Sequence, residues 1–233
     1  MLTAEVSVVR LDYGYFVRPG AETATGRPRA EPVLGYAVVH PRGVLLVDTG
    51  MGHHPEVDAH YHPRRIPLPV ALHTAGIDLD DVNLVANCHL HFDHCGGNPS
   101  LAGRPILVQK AELAAAQAAD YTLPDLIAAP GLTYDVIDGE AEPLPGVFIL
   151  PTPGHTAGHQ SLVVRRPDGT VVVLNGQGHD TASDYAADVL ADQAAQDGND
   201  QPLPTRPAWV SRLRNLDPAR VYFAHDHAVW VPS

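Results

Sequence analysis

Basic residues are scarce in this chain: Lys and Arg number 15 against 27 for Asp and Glu, a formal charge of −12 at pH 7. Phosphate contacts need a basic face, so this balance argues against a nucleic-acid partner and against a nuclease. Long apolar runs are missing too, and none approaches the length of a membrane span. The N-terminus, Met1-Leu2-Thr3-Ala4-Glu5-Val6-Ser7, has neither the basic start nor the apolar run of a secretory leader, which points to a cytoplasmic chain. Cysteine is reduced to Cys88 and Cys95. That excludes a disulfide framework and suits a reducing compartment, with both thiols packing rather than reacting. No internal repeat is visible.

What remains is ordinary globular material. The hydrophobic fraction is 45% and the length of 233 residues suits a single large domain over 1–233, as a monomer or homodimer. Alternation predicts a first strand at Glu5 to Leu11. Asp12 to Pro32, rich in Gly, Pro and Thr, reads as a loop with Tyr13, Tyr15 and Phe16 as pocket aromatics. Val33 to His40 and Val44 to Val47 read as a hairpin across Pro41-Arg42-Gly43. Met51 to Pro67, with His53, His54, His60 and His62, reads as an irregular rim loop rather than a second metal cluster, because its histidines lack ligand spacing. A short helix is expected at Val70 to Ala75 and a strong one at Lys110 to Ala119. Strands are expected at Pro105 to Val108, Tyr134 to Ile137, Val147 to Leu150, Gln160 to Arg165, Thr170 to Leu174 and Arg220 to Ala224. Asp184 to Asp200 reads as a surface helix or loose loop, and Trp209, Val210, Leu213 and Leu216 share one helix face. Gln160 to Arg165 and Thr170 to Leu174 read as a second hairpin across Pro167-Asp168-Gly169; strands outnumber helices, and both hairpins are antiparallel. The order predicts an α+β fold in which two sheets pack face to face, with helices on the outer faces.

Metal-capable side chains collect at the ends of these apolar runs. Asn87-Cys88-His89-Leu90-His91-Phe92-Asp93-His94-Cys95-Gly96-Gly97-Asn98 is the densest stretch. An extended backbone puts His89 and His91 on one side, and Asp93 and His94 fall in the turn that follows. Imidazole and carboxylate are the ligands of Zn, Fe and Mn. Three further stretches behave alike: Asp48-Thr49-Gly50, Thr152-Pro153-Gly154-His155-Thr156 through His159, and His225-Asp226. Loops converging at one sandwich edge would place His89, His91 and His155 in one site. Asp93, His94 and His225 would form a second about 3.5–4 Å away. Asp48 suits an acceptor behind the ligands, holding the motif loop or orienting an imidazole, with Gly50 beside it. His159 reads as a loop or core histidine. Pocket walls are expected from 12–32, 51–67 and 178–205.

These blocks resemble the metallo-β-lactamase fold superfamily, nearest its N-acyl-homoserine-lactone lactonase branch. The similar wording is Leu46-Val47-Asp48-Thr49-Gly50-Met51, His89 through Asn98, Thr152 through His159-Gln160-Ser161-Leu162, and Phe223-Ala224-His225-Asp226. The resemblance implies an αββα sandwich of two mixed sheets and a quorum-quenching hydrolase holding two Zn ions. A metal-activated hydroxide would open a lactone or related ester, with Asp93 as both ligand and general acid. One position departs from the family. The aspartate expected after the strand ending at Leu174, which bridges the metals, is Gln177 here. Glutamine offers a carbonyl oxygen but no charge, so two close dications lose compensation. Gln177 would bind through oxygen, or Asp180 or His179 would swing in, or a single metal would remain, with Fe or Mn also admissible. The branch also has a tyrosine three residues further on, where this chain has Asp180; Tyr185 or Tyr13 are the candidate replacements. Alternatives on the same scaffold are a thioesterase or general esterase, a mononuclear-iron persulfide dioxygenase, and a non-catalytic metal-binding homologue. An end at Ser233, soon after the last candidate ligand, argues against a thioesterase of the glyoxalase II type, which is expected to carry further C-terminal helices.

Overall fold

A computed structural model describes residues 6–23, 25–118 and 121–232. The first half of the chain builds a mixed sheet of seven strands: β1 (Ser7–Arg18), β2 (Arg29–His40), β3 (Gly43–Val47), β4 (Arg64–Arg65), β5 (Val82–Ala86), β6 (Pro105–Gln109) and β7 (Thr133–Ile137), in the order β4-β1-β2-β3-β5-β6-β7. The second half builds five more: β8 (Ala141–Leu144), β9 (Val147–Pro151), β10 (Gln160–Arg165), β11 (Val171–Leu174) and β12 (Arg220–Tyr222), in the order β12-β11-β10-β9-β8. Helices α1 (Pro55–Tyr61), α2 (Leu68–Thr74), α3 (Lys110–Ala115), α4 (Pro124–Ile127), α5 (Ala182–Gln196) and α6 (Ala208–Arg214) complete the elements that matter here.

Alternation sorts the strand residues between layers. Leu34, Tyr36 and Val38 of β2 face Leu162 and Val164 of β10 and Val172 and Leu174 of β11 inside the sandwich. Ala37 and Leu46 turn the other way and are covered by Leu68, Ala71 and Leu72 of α2. Val163 and Val173 face outward under Tyr185 of α5 and Val210 and Leu213 of α6. The layering is therefore helix, sheet, sheet, helix. No described helix is long and apolar enough to cross a membrane.

The strongest difference from the sequence reading lies in 12–32. The first strand runs on to Arg18 and the next begins at Arg29, so most of the expected loop is a hairpin arm. A register shift between Asp12 and Tyr15 lets β1 bend while it pairs with β2 on one edge and β4 on the other. The Gly and Thr content suggested a loop, but two-sided pairing supplies the backbone partners that local propensity does not. Met51 to Pro67 likewise contains α1, and β8 went unanticipated. Helix α3 stops at Ala115, short of the expected end; Ala119 and residues 1–5 lie outside the described residues.

Candidate metal centre

Strands β3, β5, β11 and β12 point their C-terminal ends to one edge, because β3 runs parallel to β5 and β11 to β12. Each end continues into a polar loop, and the loops meet. The stretch after β5 turns back on itself through the His94 N–H to His91 carbonyl bond at 3.0 Å, which lifts His89, His91, Asp93 and His94 into one locality.

Two groups of donors result. His91 Nδ1 lies 2.9 Å from His89 Nε2 and 3.2 Å from His155 Nε2. Asp93 Oδ2 lies 3.4 Å from both His94 Nε2 and His225 Nε2, which are 3.3 Å apart. Within each group the potential ligand atoms fall within 4.8 Å of one another. Burial and the surrounding imidazoles hold His89 well below its ordinary pKa, and burial lowers His91 and His225. Partial desolvation, with His91 and His94 alongside, pushes His155 to about 4. Neutral imidazoles aiming ring nitrogens at a common point fit a metal, whose ligands must be deprotonated. The second group adds charge. Burial opposes ionisation of Asp93, yet His94, His225 and His91 keep its carboxyl well below the usual range. Burial also disfavours a charge on His94, but the flanking Asp93 and Asp48 carboxylates raise its pKa. The carboxylates that favour a proton there equally favour a metal cation. The residues present therefore fit the two-ion site.

Asp48 sits behind this group. Its Oδ1 accepts the Cys88 N–H at 2.8 Å and its Oδ2 lies 3.0 Å from His94 Nδ1. Thr49 Oγ1 donates to Asn98 Oδ1 at 2.9 Å, and Asn98 in turn donates to Asn87. Gly50 has φ +83, and a Cβ there would stand 2.7 Å from the Tyr13 ring. Gly50→Ala is therefore expected to destabilise the protein by about 1–3 kcal/mol, read as a lower denaturant midpoint; an unshifted midpoint refutes the crowding.

Gln177 reaches the edge of the second group. Its Oε1 is 3.2 Å from His94 Nε2, while its amide nitrogen donates to Asp180 Oδ1 at 3.1 Å. The carboxylate fixes which way the amide faces, since only the NH2 can donate. Asp180 is not brought into either donor group: its Oδ2 accepts from Arg29 Nη2 at 3.1 Å. His179 pairs with Asp188 at 3.0 Å instead. His159 stays behind the loops, where its Nε2 accepts the Gln177 backbone N–H at 3.1 Å and so has no lone pair left for a metal. Burial and Asp48 push Cys88 up to about 12, and burial does the same to Cys95, so both remain thiols. His53 and His60 pair with Asp58 and Glu22 rather than with one another.

Neither candidate replacement for the family's tyrosine reaches the centre. Tyr185 is buried under Trp230 and Phe223, and Tyr13 donates to the Asp48 carbonyl at 3.1 Å. Tyr121 stands there instead, its ring 4.8 Å from that of His91. Its hydroxyl donates to Glu112, a carboxylate with no exposure that also accepts Leu90 N–H at 2.8 Å and Thr156 Oγ1 at 2.7 Å. Glu112 thus ties the His89–His91 loop to the His155 loop. Its sequence context marks only a helix position, because a carboxylate on a helix carries no local sign of what packs over it.

A cavity of about 940 Å³ opens onto both groups, with His91, Asp93, His155 and Gln177 in its wall. Phe16, Tyr61 and Phe92 form an aromatic side, with Tyr61 stacked on Phe92 at 5.3 Å. The segments 12–32 and 51–67 contribute as expected. The segment 178–205 does not: α5 packs on the outer sheet face, and residues 116–118 and 121–128 supply the wall.

The metallo-beta-lactamase superfamily model matches residues 28–225. The chain belongs to this superfamily. It is 35% identical over 214 residues to an N-acyl homoserine lactonase from a Bacillus species and 32% to one from Bacillus cereus, in each case over 84% of this chain and 81% of the relative. The structure resembles a B. thuringiensis AiiA mutant with N-decanoyl-L-homoserine bound at the active site (TM-score 0.76, 26% identity, 97% of this chain and 95% of that one). It also resembles an N-acyl homoserine lactone hydrolase with the product N-hexanoyl-L-homoserine at its catalytic metal centre (TM-score 0.75, 26% identity, the same coverage).

Proposed function

We propose that the chain is a cytoplasmic, zinc-dependent hydrolase that opens N-acyl homoserine lactones, with residues 1–233 as one domain. The observation that carries this reading is the pair of donor groups lying side by side, with His91, His155 and Asp93 reaching the wall of a cavity that has one aromatic side. Lactonase relatives spanning most of the chain support the substrate class.

His89, His91 and His155 would hold one ion. Asp93, His94 and His225 would hold the other, with Gln177 Oε1 at its edge. Bound there, zinc supplies Lewis acidity and brings the pKa of water toward neutrality. The protein's own residues then orient and move protons. Asp93, kept ionised by its imidazole neighbours, accepts the proton that water loses as its oxygen joins the lactone carbonyl carbon. The ring C–O bond breaks, and Asp93 returns the proton to the departing alkoxide, so a hydroxy acid leaves. Asp48 keeps His94 in place for this step, and Phe16, Tyr61 and Phe92 hold the acyl chain away from water.

The test is acid release by purified, zinc-loaded protein from N-acyl homoserine lactones, run beside thioesters and beside oxygen uptake with a persulfide. Lactone turnover supports the proposal; activity confined to either of the others overturns it. Elemental analysis is expected to find about two equivalents of metal, with iron and manganese as the alternatives that the same donors accept. Gln177→Asp should tighten the second ion by restoring a negative charge, seen as slower loss of metal to a chelator. Identical loss rates would remove any role for Gln177 at the ion.

A further inference from the structure

Arg18 ends β1 in the cavity wall, and its guanidinium is held rigidly. Its Nε and Nη2 donate to Glu31 Oε1 and Oε2 at 2.7 and 2.8 Å, and Glu31 is only 1% exposed. The guanidinium carbon stands 5.4 Å from the centre of the Phe16 ring. Arg29 lies directly opposite Arg18 in the ladder, an arrangement that would repel, and Glu31 bridges the two by accepting Arg29 Nε at 2.8 Å. Arg29 then reaches Asp180, which holds the Gln177 amide. A continuous polar chain therefore links Arg18 to the edge of the metal centre.

The remaining nitrogen is informative. Among the described residues Arg18 is the one Lys or Arg lining the cavity, and its Nη1 has no hydrogen-bond partner among them. A guanidinium offers five N–H donors, and with Nε and Nη2 engaged by Glu31 those of Nη1 take no partner among the described residues. Such a donor is wasted on an ester carrying only a hydrocarbon tail, which the aromatic side alone would hold. It suits a substrate with a second acceptor beside the reacting carbonyl.

We propose that Arg18 is a specificity-determining residue that donates through Nη1 to the amide carbonyl of an N-acylated lactone, selecting it over a lactone bearing an alkyl chain alone. This rests on the lactonase reading above. Arg18 touches no reacting atom in this scheme, so its contribution is to binding rather than to the chemical step.

The experiment compares zinc-loaded wild type with Arg18→Lys and Arg18→Met on an N-acyl homoserine lactone and on an alkyl γ-lactone of matched chain length. Lysine keeps a positive charge for buried Glu31, which guards the fold, but as a point donor it cannot serve both Glu31 and a ligand. The wild type should favour the amide-bearing lactone. Both variants should raise its KM by about 10-fold or more, with kcat changed little, the alkyl lactone unaffected and metal content equal to wild type. Parallel losses on both lactones, or loss of metal, would assign Arg18 to supporting Glu31 and Asp180 and overturn the proposal. Unchanged KM values for both would do the same with lactonase activity intact. A wild type that opens neither lactone fails the lactonase reading itself, and the specificity role falls with it.

Discussion

Asp93→Asn is expected to lower kcat for lactone opening by about 10²-fold or more while leaving the fold in place. The residue is 5% exposed and its Oδ2 sits 3.4 Å from two imidazole nitrogens. Asparagine has nearly the same shape, so packing survives, but it carries no charge and cannot ferry a proton. The same substitution removes the one carboxylate in the His94–His225 group, so metal occupancy there should fall as well. Measuring kcat and metal content together at saturating zinc separates the two effects. A variant with full metal and near wild-type kcat would remove Asp93 from the proton path.

Glu112→Ala should be the most damaging change away from the ligands. Truncation strands Leu90 N–H, Thr156 hydroxyl and Tyr121 hydroxyl in the interior. Leaving buried donors unsatisfied, and opening a void in their midst, is expected to cost about 3–5 kcal/mol. For a chain of this size that lowers Tm by about 10 °C. Because Leu90 lies between His89 and His91, and Thr156 follows His155, the loosened loops should also release metal from that group first. Glu112→Gln keeps the shape and one acceptor, so its loss should be about half as large. Thermal denaturation of metal-free protein reads the first effect, and chelator competition the second. A Tm within a degree of wild type would show that the two loops stand without this strut.

The donor groups were legible because their signals are local. His89, His91, Asp93 and His94 lie within one turn, and His155 and His225 each follow an apolar run that had to be a strand. Glu112, Tyr121 and Arg18 gave no such signal. Glu112 differs from a surface helix glutamate only in what packs over it, and Tyr121 acquires its place from a segment with little regular structure. Arg18 stood in a stretch whose Gly, Pro and Thr content concealed a strand. The cavity wall differs from the expectation for a related reason: 116–118, 121–128 and 178–205 all carry alanine, and composition does not say which of them lines the site.

Side-chain alternation and the spacing of ligand-class residues act within a few positions, so the kinds of donor, their order along the chain and the strands that carry them could be read directly from the residues. Which donors face one another is a matter of sheet packing. His94 and His225 are 131 positions apart and meet because β5 and β12 deliver their ends to the same edge. The orientation of Gln177 belongs to that second kind of information: Asp180, itself anchored across the fold by Arg29, takes the amide nitrogen and leaves the oxygen facing His94. No local propensity encodes that contact, because its geometry exists only once the two halves of the sandwich have closed.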